Sequence, residues 1–218
     1  MKKILILAIL FVVCVFTAYF MTRNKKTPLP ILNPIDLNSE MVDSSLKTKG
    51  IGHKIGKFSF LNQNNEIISD KDVRGKVFVA EYFFTTCGTI CPIMNQQMSR
   101  VHKTFQNNSN FKILSFTVNP EIDTVEQLHR YAKIHGANSK QWYFLTGQKK
   151  ELYKLARTSF FVLKPAEAQN LGDAGSDFIH TNNFVLVDKE LRIRGFYDGT
   201  SEKDVSKLLT DIPLLLTE

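Results

Sequence analysis

Cysteine is scarce: the 218-residue chain has three, and Cys14 lies inside an apolar N-terminal run. The rest of the chain holds one pair, Cys87 and Cys91. One pair is too few to staple a disulfide scaffold, so a functional use of these two thiols is the better reading. The body also lacks any marked excess of acid or base. The formal net charge is +7, but Lys2, Lys3, Arg23, Lys25 and Lys26 supply five of the 28 bases with no acid among them. That leaves 23 bases against 21 acids from residue 27 onward. A nearly neutral body has no electrostatic footprint for nucleic acid. Repeats and low-complexity tracts are absent as well, which excludes a repeat array.

What is present starts with Ile4–Thr22, a stretch of Ile, Leu, Val and Phe with no charge. It is long enough to cross a bilayer as a helix, and no small-residue cleavage site of the A-x-A kind follows it. An uncleaved membrane anchor over residues 1–22 is the expectation, with a cleaved signal segment as the competing reading. Basic residues flank both ends and leave orientation open, although Lys-Lys before a first apolar run is typical of export signals. Cys14 fits as a small apolar residue in a membrane helix. Lipidation there is disfavoured by Val13, where a small residue is usual. Residues 23–50 contain Pro28, Pro30 and Pro34 and read as an extended linker rather than a packed element.

The body, residues 51–218, has the 17 Phe of the chain largely to itself and can build a core of one domain. KFSFLNQNNEIISDKDVRGK predicts a β-hairpin. VFVAEYFF predicts a strand buried on both faces. Apolar residues at Ile93, Met94, Met98, Val101 and Phe105 predict a helix to about Asn107, with Pro92 suited to its first turn. FKILSFTV and WYFLT read as further strands. Between them a helix carries Leu128, Tyr131, Ala132 and His135, capped by Asp123 or Thr124. After a helix over Lys149–Arg157, SFFVLKPAEAQNLGDAGSD reads as an irregular insertion. NFVLVD and RIRGFYDG then make an antiparallel pair, and Ser201–Leu215 closes the chain as a helix. Such alternation defines an α/β fold with helices on both faces of the sheet.

The chemistry centres on FFTTCGTICP. Cys87 and Cys91 follow a buried strand and open a helix, where α/β sheets place their sites and where the helix N-terminus favours thiolate. Two residues is the usual spacing of a redox dithiol. Three residues is loose for a disulfide but comfortable for two thiolates on one soft metal ion. His53, His102, His129 and His135 read as structurally satisfied or solvent-facing, and spacing alone treats His180 the same way. Met94 and Met98 match the apolar stripe of their helix and read as core rather than thioether ligands. Asp173 and Asp177 flank glycines and read as turn residues. Two thiolates with one imidazole would suit copper. Zinc would want a fourth protein ligand, and the body has no further cysteine.

These residues resemble the Sco/SenC family, thioredoxin-like copper chaperones for cytochrome c oxidase. The resemblance runs from about Ile51 to Leu215 and rests on the apolar N-terminus, FFTTCGTICP, SFTVNPEIDT and IHTNNFVLVD. It implies a thioredoxin-like central mixed sheet with an N-terminal hairpin and an insertion before the last hairpin. It also implies copper ligation by Cys87, Cys91 and His180, and delivery to an oxidase subunit carrying a copper centre. The body would lie on the periplasmic side of the inner membrane. Gly88 stands where the family commonly has Pro, Asn119 where it commonly has Asp, and Thr181 and Asn182 where Ser is common. A thiol–disulfide oxidoreductase using Cys87 and Cys91 as a redox pair is the alternative. A thiol peroxidase relying on Thr85 or Thr86 is weaker, since no basic partner is local.

Overall fold

The computed structural model describes residues 2–23, 28–37, 42, 51–162 and 181–218. Helix α1 spans Lys2–Arg23, about 33 Å at the usual rise per residue, and exposes Ile4, Phe11, Val12 and Phe16. Counting only side chains that are described, no helix is long and apolar enough to cross a membrane. The anchor expectation rests on the charge-free sequence of Ile4–Thr22.

The body is a seven-stranded sheet in the order β2-β1-β5-β4-β3-β6-β7. Strands β1 (Ser59–Asn62) and β2 (Ile67–Ser69) form the predicted hairpin, closed by Asn65 at φ 63. A single helical turn, α2 (Asp70–Val73), leads into β3 (Val77–Phe83). Helix α3 (Ile90–Phe105), strand β4 (Phe111–Thr117), helix α4 (Val125–Ile134) and strand β5 (Trp142–Thr146) complete a parallel β3-β4-β5 core. Helix α5 (Lys149–Leu155) widens into a π turn at Ala156–Phe160. Strands β6 (Asn183–Val187) and β7 (Ile193–Asp198) are antiparallel to each other, and β6 is antiparallel to β3. Helix α6 (Glu202–Thr217) ends the fold, with Ser201 capping it through Asp204 N–H at 3.3 Å.

Every residue of β3 is buried, as expected of its apolar and aromatic run, and that includes the acid Glu81. Phe78, Ala80 and Tyr82 face one core with Phe116, Leu152 and Phe160. Val77, Val79 and Phe83 face the other, which holds Cys87, Cys91, Met94, Met98 and Leu208. Met94 and Met98 are core residues, as their helical spacing indicated. Of the predicted insertion, Ser159–Val162 is described and Leu163–Asp177 lies outside the described residues.

The linker expectation needs correction over residues 28–37. Leu32 forms an isolated bridge with Ile193, its N–H bonding Ile193 O at 2.8 Å. Asn33 and Pro34 are buried. Asn33 Oδ1 accepts from the N–H groups of Gly52 and His53 at 2.9 and 3.3 Å. The segment is extended, as its prolines suggested, but it is packed. An edge strand offers unpaired backbone groups that such a segment can satisfy.

Candidate metal and dithiol site

Helix α3 begins three residues earlier than its apolar spacing indicated, so Cys91 already lies in its first turn. No side chain of Thr89 caps the helix. Cys87 Sγ takes that place, accepting the Cys91 N–H at 3.4 Å. The first N–H groups of a helix lack intrahelical partners, and a sulfur there meets the positive end of the helix dipole. The Thr89 hydroxyl lies 3.7 Å from the same sulfur. Gly88 is exposed, and a Cβ built on it meets nothing within 4 Å, so the loop does not require glycine there.

The two thiols are chemically unequal. At Cys87 burial opposes ionisation. It is outweighed by hydrogen bonds from the Cys91 thiol, from the backbone N–H groups of Cys91 and Thr89, and from the Thr89 hydroxyl. Together these pull the pKa from 9.0 to about 7. Cys91 is pushed to about 12, by burial first, then by its hydrogen bond to Cys87 and by the charges of Cys87 and Glu81. One thiol is therefore a ready nucleophile or ligand near neutral pH, and the other holds its proton until something displaces it.

The loop is held by a residue cast at first only as a helix cap. Asp123 is fully buried and accepts from Thr85 N–H at 3.2 Å and from the Thr85 hydroxyl at 2.5 Å. It also accepts from the Thr117 hydroxyl. Thr124 is the actual cap of α4, accepting from Gln127 N–H at 3.3 Å. Asn119 forms the turn that delivers Asp123: its carbonyl accepts from the N–H groups of Ile122 and Asp123 at 3.1 and 2.9 Å.

Beneath the loop lies Glu81, on the Val79–Phe83 face of β3 and 1% exposed. Ser115 Oγ donates to its Oε1 at 2.5 Å, and Trp142 Nε1 donates to Ser115 Oγ at 2.8 Å. Glu81 Oε2 and Asn95 Oδ1 are buried with no hydrogen-bond partner among the described residues. Burial raises the Glu81 pKa from 4.5 to about 7 against the Ser115 hydrogen bond. An acid inside the run VFVAEYFF was the available sequence signal for this residue.

Four histidines are structural, as expected. His53 Nε2 meets Ser159 O at 2.8 Å, and His102 Nδ1 meets Gln141 Oε1 at 2.7 Å. His129 Nδ1 meets Gln63 O at 3.2 Å, and the His135 ring lies 4.5 Å from that of Tyr131. His180, Asp173 and Asp177 lie outside the described residues. Among the described residues no group of three His, Cys, Asp or Glu could hold a metal ion. A cavity of about 560 Å³ lined by Lys57, Phe60, Glu151 and Ser159 is on the other core's side, away from the cysteines.

A buried strand running into an asymmetric dithiol at a helix start, under a mixed sheet, defines a thioredoxin-like dithiol protein. The sequence pattern of the SCO1/SenC family matches residues 47–214, and the chain belongs to that family. It is 30% identical over 164 residues to the SCO1 protein homolog of Bacillus subtilis, covering 74% of this chain and 82% of that one. BsSco, described as a Sco-family cytochrome c oxidase assembly protein with a disulfide switch, superposes with a TM-score of 0.65 at 28% identity. That match covers 77% of this chain and 95% of BsSco. Arabidopsis thaliana ScoI, solved with copper bound, gives a TM-score of 0.57 at 25% identity over 75% and 98% of the two chains.

Proposed function

We propose that the chain is a membrane-anchored copper chaperone. It binds copper through Cys87, Cys91 and His180 and passes it by ligand exchange to the copper-bearing subunit of cytochrome c oxidase during assembly. The observation that carries this reading is the dithiol itself: two adjacent sulfurs at a helix N-terminus, one ionising near pH 7, in a chain of the SCO1/SenC family. Thiolates select soft ions such as Cu(I). His180 precedes the start of β6 by three residues, a chain reach of roughly 10 Å. Because β6 runs antiparallel to β3, that start lies at the end of the sheet from which the Cys loop emerges. Residues Ile4–Thr22 would hold the body at the membrane on its periplasmic side.

Titration of the reduced full-length chain with Cu(I) tests the proposal. One equivalent binds tightly, and His180→Ala, Cys87→Ser and Cys91→Ser each weaken binding. Unaltered binding by His180→Ala would remove that residue from the ligand set, and failure to bind one equivalent would overturn the reading.

The inequality of the two thiols supports a second reading, reduction of a disulfide in a protein target. Cys87 thiolate would attack the target disulfide and expel one target thiolate. Cys91 would then lose its proton and attack the Cys87 sulfur, forming the Cys87–Cys91 disulfide and releasing the second target thiolate. Full turnover by His180→Ala without copper would favour this second role.

A further inference from the structure

The docked segment at residues 29–32 changes how far the domain can stray from its anchor. Arg194 on β7 has a side chain 3% exposed. Its guanidinium donates to Leu29 O at 2.6 Å and Pro30 O at 3.1 Å. It is held in turn by Asp188 Oδ2 at 3.0 Å and by Glu218 Oε2 and Oε1 at 2.6 and 2.9 Å. Leu29 packs against one core and Leu32 against the other. Between the end of α1 at Arg23 and Leu29 lie six residue steps, a reach of at most roughly 20 Å. Were the whole segment to Ile51 free, its 28 steps would reach roughly 100 Å.

The dock also has a direction. Leu32 pairs with Ile193, the first residue of β7. Val187, the register partner of Ile193, is also the partner of Phe78 near the start of β3. The dock is thus at the end of the sheet where β3 begins, and the cysteines follow the end where it finishes. Roughly 15–20 Å of strand separates the two.

We propose that Leu29–Leu32 acts as a strut that keeps the β3-start end of the domain toward the bilayer and turns the dithiol away from it. The partner that fits presents thiol or imidazole ligands, or a disulfide, roughly 20–40 Å clear of the membrane surface. This rests on the reading of Ile4–Thr22 as an uncleaved anchor.

Energy transfer from a labelled chain to rhodamine-phosphatidylethanolamine in phosphatidylcholine vesicles tests it. In a full-length background with Cys14, Cys87 and Cys91 replaced by Ser, one protein carries Gly88→Cys beside the dithiol site. The other carries Glu190→Cys in the turn between β6 and β7. Transfer from position 190 is expected to exceed that from position 88 severalfold. Replacing Leu29–Leu32 with Gly and Ser should bring the two signals together. A ten-residue Gly-Ser insert after Lys26, which leaves the dock untouched, should lower both. Equal transfer from the two positions in the docked chain overturns the strut. Failure of the chain to float with the vesicles instead overturns the anchor reading, and the strut with it.

Discussion

The two ends of the central sheet handle buried polar groups in opposite ways. At the dock, Arg194 makes five hydrogen bonds, to Leu29 O, Pro30 O, Asp188 and both oxygens of Glu218. Asp188 accepts in addition from Arg192 Nε and from the N–H groups of Glu190 and Arg192. At the dithiol end the polar groups are incompletely matched. Glu81 Oε2 and Asn95 Oδ1 have no hydrogen-bond partner among the described residues, and the two thiols are displaced in opposite directions. A saturated network fixes geometry, whereas an unsatisfied buried group retains chemical potential that a ligand or proton can relieve. One end is saturated and the other is not.

The sharpest way to break this contrast is at the dock. Arg194→Ala removes one of the two arginines paired with Asp188, leaves Glu218 without its guanidinium and frees the linker, and should cost about 3 kcal/mol by urea unfolding. A loss below about 1 kcal/mol would show that the network stabilises little.

Glu81 gives the next largest effect, with a pH signature. Its folded pKa of about 7 exceeds the ordinary 4.5, so between these values the folded chain binds more protons than the unfolded one. Stability therefore falls as pH rises through that window, by roughly 3 kcal/mol in total. Glu81→Gln should remove this component. The difference between the two proteins at pH 5 and pH 8 isolates it from His53, His102 and His135, whose lowered pKa values act in the opposite sense. A difference that does not change with pH would mean that Glu81 titrates normally.

Asp123→Ala would strip the Cys loop of its acceptor and leave the Thr85 and Thr117 donors unmatched. A loss of about 2 kcal/mol is expected, together with faster proteolysis near residue 86. The smallest effect concerns the thiols themselves. Alkylation of Cys87 by iodoacetamide should rise with a midpoint near pH 7, while Cys91 stays unreactive. Cys91→Ala should move that midpoint upward, because a hydrogen bond to the Cys87 sulfur is lost. Equal reactivity of the two sulfurs in the parent chain would erase the asymmetry.

Much of this was legible before any coordinates. The buried run VFVAEYFF, the stripe Met94–Met98–Val101–Phe105 and the hairpin around Asn65 appear as read, because each is encoded by a local period or turn residue. The Cys pair at the strand-to-helix junction was equally plain. Misreadings arose where the partner is far away in sequence. Of the two cap candidates Asp123 and Thr124, Thr124 is the cap, but the role of Asp123 was not legible, since its contact, Thr85, is 38 residues away. Residues 28–37 looked like a free linker because prolines mark extended chain, and nothing local announces Arg194, more than 160 residues on.

The sequence by itself determined the strands and helices, the two-sided core and the placement of one dithiol at a helix start, since hydrophobic periodicity and short-range spacing specify these. Only the tertiary structure decided that Cys87 and Cys91 differ in acidity, that Glu81 is buried with an unmatched oxygen, and that the linker is docked at the end of the sheet away from the thiols. Those properties depend on burial and on pairings set by the strand order, which no local pattern contains.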